Sequence, residues 1–363
     1  MTVPRLPQLT GLLEAAAREG VAPALAAEVR RRGVVLHRSH LGLAQRLPTA
    51  RPLGPDDLFD VASLTKVMAT ASLAALLVDA GALELDAPAA RLLPELGPDH
   101  RGITFRHLLA HASGLPAWRP LHTAGRGCDA LVAAAAATPL EAAPGTRALY
   151  SDLGFILLGA ALERAAGAPL DALFAARVSG PLGLASTFFL RQGDPVSAAR
   201  RAQRGFAAAR RTPERGVVVG EVDDDNAFAM GGVAGHAGLF SSASEVAALG
   251  QAWLDALAGR SRWLSAATAA RFIARDATPG SERALGWDTP SALGSSLGTR
   301  LGHGPRGAVG HLGFTGCSLW IDLDRELACA LLTNHVHPDG PDKPRLKAFR
   351  ARFHDAVAEE VGV

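Results

Sequence analysis

The stretch from Leu64 to Ala80 constrains this chain more than any other. It is apolar nearly all round, with Gly81 as a natural stop. A helix with no polar face has to be covered on every side, so the spacing predicts a helix at the centre of a domain. Directly before it stands Phe-Asp-Val-Ala-Ser63-Leu-Thr-Lys66. Residues three apart on a helix share a face, which sets the Ser63 hydroxyl beside the Lys66 amine. A serine hydroxyl is a weak nucleophile without a base at hand, and burial disfavours an ammonium. The sequence therefore leads us to expect Lys66 to be pushed toward a usable base, with the Ser63 N–H free at the helix start to meet an oxyanion.

The residue usage sharpens this pair. Of 37 basic residues only Lys66, Lys343 and Lys347 are lysines, and Tyr150 is the one tyrosine. Where arginine serves for generic positive charge, a retained lysine points to chemistry that needs a removable proton, and a lone tyrosine to its phenol. The 363 residues are 48% hydrophobic and 20% charged, which suits one large or two interleaved domains. The net charge of +2 gives no electrostatic case for nucleic acid or an anionic membrane surface. The longest uncharged apolar run, about Val67 to Val78, is too short for a bilayer span. Cys128, Cys317 and Cys329 are odd in number and lack metal spacing, and the first twenty residues lack an apolar leader. Both features lead to the expectation of a cytoplasmic protein, a periplasmic one being the alternative if a leader precedes this sequence.

Along the chain, 7–19 reads as an amphipathic helix, and Ala24 to Arg31 and Val34 to Leu43 as strands broken by Gly33. Residues 84–200 read as mostly helical, 191–216 as irregular and Arg-rich, and 220–240 as a Gly-rich loop. The run from Ser241 restarts a helix behind a serine cap. Residues 288–310 read as loop, Cys317 to Leu323 and Glu326 to Asn334 as a hairpin, and Lys343 to Val361 as a closing helix. We expect an α+β fold: a sheet domain from 1–85 and 235–363, with a mainly helical domain from 86–234 inserted and the site between them.

Two further motifs join the first. Tyr150-Ser151-Asp152 follows a Pro-Gly turn and precedes a helix, where a phenol can reach a site. His311-Leu-Gly313-Phe-Thr-Gly316 lies on the approach to a strand, and Gly313 is read as leaving room for a substrate backbone or acyl group. The Phe314 N–H is then the second candidate oxyanion donor.

In order and spacing these three motifs resemble the class C β-lactamase and penicillin-recognising serine hydrolase family, whose motifs are S-x-x-K, Y-x-N and K-T-G or H-x-G. The segments ITFRHLLAHASGLP, PGTRALYSDLGFILLG and GPLGLASTFF are similar to that family's connecting segments. The resemblance implies an antiparallel sheet flanked by helices plus an all-helical domain, with no metal or cofactor. It implies Ser63 as the acylated nucleophile, Lys66 and Tyr150 as shared acid and base, and the Ser63 and Phe314 amides as the oxyanion hole. Three positions depart from it. Asp152 stands where β-lactamases have Asn and would favour the Lys66 ammonium. His311 and Leu312 replace Lys and Thr, so a mostly neutral imidazole meets a β-lactam carboxylate weakly. The loop DDDNAFAMGGVAGHAGLF resembles the branch containing N-acetylmuramyl-L-alanine amidases and related esterases, which would put His236 near the cleft. Asp152, His311, Gly313 and His236 are thus candidate substrate contacts. The expected substrate is a small molecule or peptidoglycan fragment, with a short-chain ester, weak β-lactamase or D,D-peptidase activity, or a slowly hydrolysing penicillin sensor as alternatives.

Competing motifs are weaker. Gly294-Ser-Ser296-Leu-Gly298 has the pattern of a nucleophile elbow but no strand before it or helix after it. His107, His111, His335 and His337 lack the companions a zinc site needs.

Overall fold

A computed structural model describes residues 6–291, 294–340 and 342–362. Helix α1 (Pro7–Arg18) leads into strands β1 (Ala24–Arg31), β2 (Val34–Gln45), β3 (Arg51–Pro52) and β4 (Phe59–Asp60). A π-helical stretch (Lys66–Ala71) then runs into α2 (Ser72–Asp79). Helices α3 (Phe105–Leu109), α4 (Cys128–Ala136), α5 (Asp152–Ala166) and α6 (Leu170–Phe174) follow. Next come β5 (Phe188–Phe189), α7 (Pro195–Gln203), β6 (Arg211–Thr212), β7 (Gly216–Val217), α8 (Asp225–Ala229) and β8 (Leu239–Ser241). The chain ends with α9 (Ala243–Leu257), α10 (Ala266–Ile273), β9 (Ala308–Leu312), β10 (Ser318–Asp322), β11 (Leu327–Thr333) and α11 (Lys343–Glu360).

The main sheet is antiparallel, in the order β3-β2-β1-β11-β10-β9, so its strands come from both ends of the chain. Both faces of its central strands are buried. Leu25, Ala27 and Val29 pack with Leu327, Cys329 and Leu331 against α1 and α11, while Ala24, Ala26, Ala328 and Ala330 face α9. This is the period-two alternation of a strand with both faces covered. The α9 face is built of small residues because the helix lies close: a Cβ on Gly250 would come within 3.1 Å of Ala328 Cβ and Leu319 Cδ1. A small second sheet, β4-β8-β5, joins the segment before Ser63 to the end of the Gly-rich loop.

The central helix is buried on every side from Lys66 to Ala75, as its composition requires. Its first part is wider than an α-helix, a geometry often found at functional sites. There the Ser72 hydroxyl donates to Val67 O at 2.8 Å, and the Thr70 hydroxyl to Gly235 O at 2.6 Å. Two expectations are corrected. The Arg-rich stretch 191–216 contains α7, started by Pro195 and capped by Asp194, whose carboxylate accepts the Ser197 N–H at 2.7 Å. The stretch 288–310 runs into strand β9, so His311 lies within a strand rather than on the approach to one. The glycine that disguises it, Gly310, is required by packing: a Cβ there would lie 2.3 Å from the Trp320 ring.

Candidate active site

Ser63 follows a constrained turn. Ala62 has φ +47°, a left-handed conformation costly for a side chain, and its N–H donates to Asp60 Oδ1 at 2.8 Å. The turn leaves Ser63 half-buried at the mouth of a cleft of about 710 Å³. Among the described residues its backbone N–H has no hydrogen-bond partner, and neither has that of Phe314. Such unpartnered amides are what a developing oxyanion needs.

Lys66 is fully buried and surrounded by oxygen atoms. It donates to Ser63 Oγ at 2.9 Å and to His236 O at 2.9 Å, and lies 2.7 Å from Asp152 Oδ1. Burial opposes the ammonium, but the Asp152 carboxylate and Tyr150 outweigh it and raise the Lys66 pKa above its ordinary value. The expectation that burial makes Lys66 a low-pKa amine is therefore overturned: Lys66 rests as an ammonium. Burial raises the Tyr150 pKa, against the pull of Lys66 and Ser63 beside its hydroxyl. Tyr150 rests as a phenol. Its ring lies between His111, at 4.6 Å between centroids, and His311, at 5.9 Å, with the Arg283 guanidinium 5.0 Å from its centre.

Asp152 is placed by its helix. Ser151 caps α5 by accepting the Gly154 N–H at 3.2 Å and donating to Pro116 O at 2.7 Å, and His111 Nδ1 accepts the Ser151 N–H at 3.0 Å. An acidic residue in the first turn also suits the helix dipole. His311 is buried and donates from Nδ1 to Leu312 O at 2.8 Å. Burial lowers its pKa to about 4, so the imidazole is neutral at physiological pH.

Gly313 serves a contact other than the one read from sequence. A Cβ on it would lie 2.5 Å from Val61 O, so the close neighbour is the chain's own nucleophile turn. That contact brings the Phe314 turn beside Ser63. Arg350, buried, braces the same turn by donating to Gly313 O at 3.3 Å and Cys317 O at 2.8 Å. The Phe314 ring is exposed, between Lys343 Nζ at 5.2 Å and the Arg210 guanidinium at 5.7 Å. His236 meets the site through its carbonyl. Its imidazole turns away to Asp224 Oδ1, 2.9 Å from Nε2, and does not line the cleft. Asp224 also caps α8, and its pKa is held well below the usual range, the pull of His236 and the helix amide exceeding the cost of burial.

Ser63, Tyr150, Asp152, His311, Gly313 and Phe314 line one cleft. So do Arg283, Lys343, Lys347 and Arg350, none of which the motifs singled out as site residues. The scarcity of lysine carried the signal for two of them: all three lysines and the one tyrosine stand at this cleft. Ser296 of the elbow-like motif has no base on its hydroxyl, which accepts the Trp320 indole N–H at 3.1 Å. His107 belongs to the cap of α3, where its Nδ1 accepts the Thr104 N–H at 3.3 Å.

Known proteins are similar to this chain in sequence and fold. An N-acetylmuramyl-L-alanine amidase from Bacillus subtilis (strain 168) is 33% identical over 308 residues, 77% of this chain and 68% of that protein. Esterase EstB from Burkholderia gladioli is 32% identical, over 94% of this chain and 93% of its own. The crystal structure of SurE with D-Leu superposes with a TM-score of 0.75 at 27% identity, covering 97% of this chain and 75% of that one. The Beta-lactamase family matches residues 9–352. With that match over nearly its whole length, the chain belongs to the beta-lactamase family of serine hydrolases.

Proposed function

We propose that this enzyme hydrolyses an amide bond of a peptidoglycan-derived muropeptide through an acyl-enzyme on Ser63. Ser63 Oγ attacks the acyl carbon, and the carbonyl oxygen takes up negative charge between the Ser63 and Phe314 amides. The Lys66–Tyr150 pair receives the serine proton and passes it to the departing amine, and water then releases the acyl group by the same route in reverse. Because Lys66 rests as an ammonium and Tyr150 as a phenol, the pair has to give up a proton before it can act as base. This reading expects kcat/KM to rise on the alkaline side.

The observation that carries the substrate class is the wall of the cleft formed by α11. Lys343, Lys347 and Arg350 line it, and among the described residues none of the three has a carboxylate partner. A muropeptide amide brings free carboxylates to such a wall, and a short neutral ester brings none. The amidase relative supports the same choice. The esterase reading is second, favoured by the near full-length match to EstB.

The test is a parallel assay of a carboxylate-bearing muropeptide amide and p-nitrophenyl butyrate, with the wild type and the Lys343→Gln/Lys347→Gln double variant. The expected result is turnover of the amide, with KM for it raised about tenfold in the double variant and KM for the ester unchanged. Turnover of the ester alone overturns the amidase reading.

A further inference from the structure

Asp60 is buried in β4, three residues before the nucleophile, and touches three segments around the oxyanion site. Its Oδ1 accepts the Ala62 N–H at 2.8 Å, and so fixes the turn that presents the Ser63 amide. Its Oδ2 accepts the Asp223 N–H at 2.7 Å, in the loop whose next residue, Asp224, holds His236 and through it the carbonyl on Lys66. Its main-chain oxygen accepts the Thr315 hydroxyl at 2.8 Å, beside the Phe314 amide. One residue therefore ties the nucleophile turn, the oxyanion turn and the lysine-holding loop together.

We infer that Asp60 is the positioning residue that sets the Ser63 and Phe314 amides in register, and that it does so only as a carboxylate. This rests on Ser63 being the nucleophile. Both carboxylate oxygens face N–H donors, and a proton on either one weakens an acceptor the site uses. The groups facing it set its proton affinity. The Asp223 charge, paired with Arg210, acts on it more strongly than that of Asp224, paired with His236. The Cys317 thiol, 3.7 Å from the Asp60 carbonyl, is kept protonated by burial. Burial and the Asp223 charge raise the Asp60 pKa to about 7, against the pull of the two amides. Raising the pH through neutrality thus ionises Asp60 and locks the register, and lowering it releases the lock.

The experiment starts from a fluorophosphonate probe that labels Ser63 in the wild type. Absence of that label defeats the nucleophile assignment and is distinct from the outcomes that follow. kcat/KM for one chromogenic substrate is then measured from pH 5 to pH 9 for the wild type, Asp60→Asn and Thr315→Val. The side-chain amide introduced by Asp60→Asn mimics a protonated Asp60, so the ratio of wild type to Asp60→Asn should be near one at pH 5 and climb to about 10- to 100-fold above pH 8. Taking the ratio cancels any limb due to Lys66. Thr315→Val, which leaves the Asp60 carboxyl untouched, should lose activity by a factor that does not change with pH. A pH-independent ratio for Asp60→Asn overturns the proposal. Should Asp60→Asn fail to fold, Asp223→Asn decides: loss of the negative charge that acts most strongly on Asp60 should move the wild-type acid limb to lower pH, and an unmoved limb overturns the proposal.

Discussion

Lys66→Met is expected to lower kcat by about 10³-fold and to destabilise the fold by about 2–3 kcal/mol. The rate falls because Lys66 is, among the described residues, the one cation whose nitrogen reaches both the Ser63 hydroxyl and the Asp152 carboxylate, at 2.9 and 2.7 Å. The stability falls because methionine replaces the buried side chain but leaves the Asp152 carboxylate without a countercharge. The cost sits at the low end for a broken pair, since Asp152 keeps some contact with water. Its pH dependence has a definite sign. The Lys66 pKa is raised in the fold, so the stabilisation it supplies is complete below the pKa of an unfolded lysine. It is lost only as the pH rises through the higher folded value. The gap in stability between wild type and Lys66→Met should therefore be flat around neutrality and narrow only in strong alkali. Thermal unfolding across that range checks it, and initial rates with a chromogenic ester check the loss of turnover.

Gly313→Ala is the second large effect. The added Cβ would lie 2.5 Å from the Val61 carbonyl oxygen, and backbone meets backbone there, so no flexible side chain can yield. The Phe314 turn has to retreat from the Ser63 turn, and the oxyanion loses one of its two donors. The expected loss in kcat is about 10²-fold with KM little changed, together with about 1–3 kcal/mol of stability. Gly97→Ala is the control: a Cβ at Gly97 meets nothing within 4 Å, and both parameters should stay near wild type. If Gly313→Ala keeps wild-type kcat, the Phe314 amide is not part of the site.

What the sequence disclosed was the part governed by local periodicity. Ser63 and Lys66 share a face because of spacing alone, the hairpin of β10 and β11 follows from alternation and a tight turn, and the all-apolar run had to be central. What it hid depended on partners distant in the chain. The direction of the Lys66 pKa is set by Asp152 and Tyr150, which α5 and the loop before it carry to the lysine, and neither effect could be weighed against burial before their distances were known. Gly310 and Gly313 look like loop glycines, yet both are small because Trp320 and Val61 press against them. His236 stands in a loop read as cleft-lining, but its carbonyl is the working atom and its imidazole is spent on Asp224. Lys343 and Lys347 were conspicuous by rarity, but only the packing of α11 brings them to the cleft.

The central claim is that Ser63 becomes acylated. Mass spectrometry of the intact protein and of its peptides after treatment with a fluorophosphonate probe tests it most directly. The account predicts one adduct per chain, on Ser63, and none in Ser63→Ala. An adduct that survives Ser63→Ala, or one found on Ser296, would contradict it.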